Sequence, residues 1–105
     1  MNRTTGQYSI VQAAAGTFLV APAQPGLRVY VTAIVIALGA NGTFKFQEDT
    51  TDLTGPLPAG QNSPFIAISG SDDMPILHTT TVGRALNLVT VGGAANGWLR
   101  GYYAN

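Results

Sequence analysis

Apolar and polar positions along this chain fall into short runs separated by turn residues. The strongest run is Leu27 to Leu38. As an extended strand it is apolar on both faces, with Val29, Val31, Ala33 and Val35 on one and Tyr30, Ile34, Ile36 and Leu38 on the other. Such a strand is covered on both sides. One face is expected to meet the domain's own core, and the other a subunit partner or a terminal arm. Arg84 to Val91 alternates, with Leu86, Leu88 and Thr90 on one face and Asn87, Val89 and Val91 on the other. Gly97 to Ala104 reads as the closing strand. Thr17–Ala21, Thr43–Gln47, Ser63–Ile68 and Pro75–Thr80 are shorter strands rich in β-branched and aromatic residues. Tyr8 to Ala15 reads as a first strand or an extended arm.

The breaks between runs are equally informative. Asn41-Gly42 between apolar runs predicts a hairpin, because a type I′ turn needs positive φ at both centres. Glu48 to Gln61 reads as a long loop, Ser69 to Met74 as a polar turn and Gly92 to Asn96 as another turn. Seven or eight short strands at regular spacing predict an all-β, single-domain β-sandwich or jelly roll. Residues 1–16 are a candidate N-terminal arm, and residues 17–105 the sandwich.

Composition agrees with that frame. The 105 residues fit one domain. Thirteen glycines and six prolines argue against long helices. Only 10% of residues are charged, against about 25% in an average domain. Neighbours are therefore expected to cover part of the surface. The five cations, Arg3, Arg28, Lys45, Arg84 and Arg100, are scattered and balanced by five acids, which argues against a nucleic-acid binder. Without cysteine there is no disulfide scaffold. Met1 to Gly6 lacks the apolar core of a signal peptide, and Val29 to Ala40 is too short to span a bilayer. Synthesis and retention in a cytoplasm are expected, unless the chain leaves as part of something larger.

Candidate chemistry is sparse, and no cofactor is expected. His78 is the only histidine. Ser63, Ser69 or Ser71 would be its nucleophile, but none sits in a nucleophile elbow. The acids Glu48, Asp49, Asp52, Asp72 and Asp73 lie in loop or turn segments and lack the spacing of a calcium loop. The glycine-rich stretches at 39–42 and 92–97 read as hairpin turns, since a phosphate loop needs a Lys, a Ser or Thr and a following helix. No enzyme is expected. Trp98, Tyr102 and Tyr103 offer a platform for a partner or a sugar, with Trp98 and Tyr102 on one face and Tyr103 on the other. Tyr30, Trp98, Tyr102 and Tyr103 are the candidate interface residues.

Several segments, in order, resemble small jelly-roll capsid decoration (cement) proteins of tailed bacteriophages. They are Leu27-Arg28-Val29-Tyr30-Val31-Thr32-Ala33, Thr43-Phe44-Lys45-Phe46 and Leu53-Thr54-Gly55-Pro56-Leu57-Pro58. The most telling are Gly83-Arg84-Ala85-Leu86-Asn87-Leu88-Val89-Thr90 and Gly97-Trp98-Leu99-Arg100-Gly101-Tyr102-Tyr103. The likeness covers residues 17 to 104, and order carries more of it than any single piece. It implies a virion structural protein made in the host cytoplasm. Such a protein sits on the outer capsid as a homotrimer or homodimer and bridges major capsid protein subunits. The alternatives are a tail, adaptor or fibre-base domain, or a carbohydrate-binding module. Neither a membrane nor a nucleic acid is an expected partner.

Overall fold

A computed structural model describes residues 5–39, 41–59, 66–71 and 74–104. Among these residues the elements, in chain order, are β1 (Thr5–Gln12), β2 (Gly16–Ala21), β3 (Arg28–Leu38), β4 (Gly42–Glu48), β5 (Thr51–Asp52), β6 (Leu57–Ala59), β7 (Ile66–Ser69), β8 (Leu77–His78), β9 (Leu86–Val91) and β10 (Ala95–Ala104). They form two antiparallel sheets. Sheet A runs β1-β10-β3-β7, with β8 also on β3. Sheet B runs β2-β9-β4-β5, with β6 also on β4.

Each sheet has one broken edge. β7 and β8 pair with successive stretches of β3, either side of an excursion through Gly70 and Met74. β5 and β6 do the same along β4, in the segment expected to be a long loop. Pro58 lacks the N–H that a central strand needs, and β6 holds it at the sheet edge. With each broken edge taken as one strand, successive strands change sheet at every step except β4 to β5. That is jelly-roll winding, so the expected sandwich is the one the chain forms.

The described core lies between the sheets, with Ile10, Val29, Val31, Ile34, Ile36, Phe44, Phe46, Leu86, Leu88 and Leu99 all buried. Burying each such side chain is worth about 1.5–3 kcal/mol. β9 alternates as the sequence predicts, with Leu86, Leu88 and Thr90 buried. β3 does not. Arg100 pairs with Ala33 but Gly101 pairs with Val31, leaving Thr32 as an extra residue. The Thr32 hydroxyl donates to the Arg100 carbonyl at 3.1 Å. This bulge resets the alternation. Val29 and Val31 before it, and Ile34, Ile36 and Leu38 after it, all point inward. The two apolar faces read from the sequence are thus largely one inner face, and only Tyr30, Ala33, Val35 and Ala37 look outward.

Two further expectations give way. The arm over residues 1–16 is, from Thr5 onward, part of the body: β1 pairs with β10 along its whole length, and Ile10 is completely buried. Asn41-Gly42 turns a corner between sheets rather than a hairpin, because β3 and β4 lie in different sheets. Gly42 does not take the positive φ of a type I′ turn. Its need for glycine is close approach, since a Cβ there would sit 1.8 Å from the Val91 carbonyl oxygen. Residues 92–94 are likewise a corner, from β9 to β10, while Ala95, Asn96 and Gly97, read as part of that turn, already pair with β3 as the start of β10. The two corners are joined by the Gly39 N–H donating to the Ala94 carbonyl at 2.8 Å.

Candidate binding faces

Cross-strand register places the outward side chains. On sheet A, Trp98 lies opposite Ser9 and Val35, Arg100 opposite Gln7 and Ala33, and Tyr102 opposite Tyr30. Tyr30 in turn lies opposite His78. The Tyr30 and Tyr102 rings stack 5.1 Å apart at 11°, and the His78 ring lies 5.3 Å from Tyr30. An aromatic tier therefore crosses β8, β3 and β10. Tyr102 points outward yet is only 2% exposed.

Three of the four candidate interface residues, Tyr30, Trp98 and Tyr102, share this face. Tyr103 does not. It pairs with Val29 on the inner side, and its hydroxyl donates to the Pro22 carbonyl at 2.6 Å. Burial and the neighbouring Tyr8 push its pKa up to about 12. It ties the β2–β3 link to the sandwich.

Charge on the outer face of sheet A is one-sided. Arg28 and Arg100 lie there, and no described outward position on β1, β3, β7, β8 or β10 is acidic. The Arg28 Nε donates to the Thr80 carbonyl. Arg100 makes no ion pair or side-chain hydrogen bond among the described residues. Trp98 and Arg100, with Gly6 and Gln7, line a shallow depression of ≈ 440 Å³ open to solvent.

Sheet B presents something different. Leu19 and Val91 are 55% and 63% exposed. Thr17 lies opposite Val89 and Leu19 opposite Asn87, so Leu19, Val89 and Val91 run diagonally across β2 and β9. At the β4 end the stripe gives way to polar groups. Lys45 and Gln47 both hold Asp52, at 3.1 and 2.6 Å, and keep its carboxyl below the usual range.

The residues considered for chemistry have local tasks. The His78 Nδ1 lies 2.9 Å from the Thr79 carbonyl, and neither Ser69 nor Ser71 bonds to that ring. Ser63, Asp72 and Asp73 lie outside the described residues. Asp49, at φ 51°, caps the Ala85 N–H. Glu48 is buried at the inner side of β4. Its carboxylate accepts the Thr80 N–H and hydroxyl and the Thr81 N–H, with the Arg84 Nε at 3.9 Å. Burial pushes the Glu48 pKa up, but those donors and the Arg84 charge outweigh it and hold the carboxyl below its ordinary value of 4.5. Glu48 thereby fastens the β8–β9 link of sheet A to sheet B. Among the described residues no group of three or more His, Cys, Asp or Glu could hold a metal ion.

No protein-family model matches the chain, and neither does any curated protein or solved structure.

The aliphatic stripe on sheet B was only half visible in the sequence. The second apolar face of β9, Val89 and Val91, was there to be read. That Leu19 joins it depends on β2 lying beside β9, which no local pattern encodes. An apolar cleft of ≈ 170 Å³ between the sheets, among Ile34, Phe44, Phe46, Leu57 and Leu77, was not visible either. It forms where β4 of sheet B faces β3 and β8 of sheet A along the broken edges.

Proposed function

We propose that this chain is a structural protein of a tailed-bacteriophage virion, and specifically a capsid decoration protein. It is made in the host cytoplasm and docks on the major capsid protein at the outer surface of the shell, as a homotrimer or homodimer. The observation that carries this reading is the stripe of Leu19, Val89 and Val91 on the outer face of sheet B. An apolar centre with a polar rim is the anatomy of a protein interface. The jelly-roll winding and the order of short segments resembling decoration proteins support the same reading.

The mechanism is thermodynamic and involves no reaction. A protein that binds only the assembled shell adds its binding free energy to that shell's stability. Contacting several subunits at once strengthens attachment through avidity, without any single contact being strong. A rigid sandwich with apolar residues on a broad face suits that work.

Electron cryomicroscopy of the particle that carries this chain tests the proposal. Density for the sandwich is expected on the outer shell, with β2 and β9 toward the capsid. Leu19→Lys and Val91→Lys together are expected to abolish attachment and return the particle's heat resistance to that of an undecorated shell. Density at the tail or fibre base would replace the decoration reading with a tail or adaptor role. Unchanged attachment of the double variant would remove the stripe from the contact.

A further inference from the structure

We propose that the depression on the outer face of sheet A binds an acidic saccharide, whose pyranose ring stacks on Trp98 and whose carboxylate is held by Arg100. The site lies on the face opposite the aliphatic stripe. The inference therefore stands whether or not the chain decorates a shell.

Four observations converge on it. The first is shape: Gly6, Gln7, Trp98 and Arg100 line a shallow, open depression of ≈ 440 Å³. The second is spacing. Gln7 lies opposite Arg100, and Ser9 opposite Trp98, in adjacent rows of one face. Such rows are about 7 Å apart, which places the polar groups beside the indole at the span of a sugar ring. The third is unused hydrogen-bonding capacity. Among the described residues, the Gln7 amide, the Trp98 indole N–H and the Arg100 guanidinium have no partner. The fourth is charge. No described acid shares this face, so no described group on it neutralises Arg100.

These features select among ligand classes. A sugar presents an apolar carbon face to an aromatic ring and hydroxyls to polar groups at its edge, and an aromatic flanked by unpartnered donors matches both. A carboxylate on the sugar meets the guanidinium fork in two parallel hydrogen bonds. A nucleic acid would also stack on Trp98, but its phosphates require a track of cations. Among the described residues only Arg28 and Arg100 are cations on this face, and Arg28 is engaged with Thr80. A dry protein contact fits poorly, because beside the Trp98 ring the lining consists of Gln7, Arg100 and a glycine. β10 is paired on both sides, so Trp98 and Arg100 are held on a rigid strand before any ligand arrives.

Trp98 is the only tryptophan, so intrinsic fluorescence reports directly on this site. The probes are sodium trigalacturonate and sialyllactose, with α-1,4-galactotriose and lactose as neutral counterparts. A saturable emission change is expected with at least one acidic probe, about tenfold tighter than with its neutral counterpart and weakened by added salt. Arg100→Gln is expected to reduce acidic binding to the neutral level, and Arg100→Lys to restore part of it. Trp98→Ala, followed by calorimetry, is expected to abolish the binding heat. Arg100 is exposed, so circular dichroism of the Arg100 variants should match the parent. The proposal is overturned if neither acidic probe gives a saturable change, if acidic and neutral probes bind alike, or if Arg100→Gln binds as the parent does.

Discussion

On sheet A the outward aromatics lean on one another, whereas on sheet B the outward aliphatics reach into solvent. Tyr102 is 2% exposed because Tyr30 stacks against it, and His78 continues the tier. Leu19 and Val91 point outward to the same degree but stay mostly exposed. An outward direction thus says little about what a residue contributes to the fold. The tier is a small satellite of the core on the outer side of a sheet, and its area burial and ring stacking stabilise the free domain. The stripe of sheet B leaves most of the Leu19 and Val91 surface in water in the free domain. Its apolar character has a use only when something covers it. The faces also differ in charge. Sheet B and its links hold every described carboxylate, Glu48, Asp49 and Asp52, while the outer face of sheet A shows arginines and no described acid.

The sharpest test of this contrast is truncation of a residue on each face. Tyr102→Ala is expected to cost about 3–4 kcal/mol, as for other buried aromatics, read as a lower urea midpoint at unchanged slope. A loss below about 1 kcal/mol would mean that the tier is a surface ornament like the stripe. Next in size is the carboxylate of sheet B. Glu48→Gln is expected to cost about 2 kcal/mol, because charge-assisted bonds to Thr80 and Thr81 become neutral ones. The same group sets an acid limit. Its folded pKa lies below 4.5, so its stabilisation is fully present above that value and is lost as pH falls through the folded value. Unfolding midpoints taken from neutral pH downward should fall steeply in the parent and less in Glu48→Gln. Equal slopes would assign the acid sensitivity to other carboxylates. The smallest effect is expected at the stripe. Leu19→Ser and Val91→Ser should each stay within about 0.5 kcal/mol of the parent, while weakening the proposed attachment to a shell. A larger loss would show that the stripe serves the fold after all.

Much of the fold was readable locally, because period-2 alternation and turn residues are local signals. β9 and β10 appear where the pattern puts them, and Trp98 and Tyr102 share a face as alternation requires. What escaped depends on partners far away in the chain. The Thr32 bulge arises because β10 must pair with β3 past an extra residue, and nothing around Thr32 announces it. Asn41-Gly42 carries a genuine turn signal, but whether it makes a hairpin or a corner depends on which strands claim β3. Those are β10, β7 and β8. β5 and β6 hid in an apparent loop because a strand of two or three residues at an edge leaves no periodicity to detect. The candidate faces divide the same way. The members of the aromatic platform could be named, but their stacking follows from the pairing of Tyr30 with Tyr102, which register alone supplies. The ring of unpartnered donors around Trp98 needed β1 to be placed beside β10.

That placement has a consequence in time. β10 is the last strand in chain order, yet it is a central strand of sheet A, between β1 and β3. As the chain leaves the ribosome, β1 emerges before β10 and waits for its partner, because Thr5 pairs with Tyr102 and Gln12 with Ala95. Sheet A has no centre until β10 has emerged. Until then β1, which carries Ile10, and one edge of β3 lack their partner strand, and such unpaired strands favour slow folding and aggregation. A chain cut short before β10 lacks the middle of a sheet rather than its edge. Products cut short before β10 are therefore expected to be cleared by proteolysis instead of accumulating as partly folded domains.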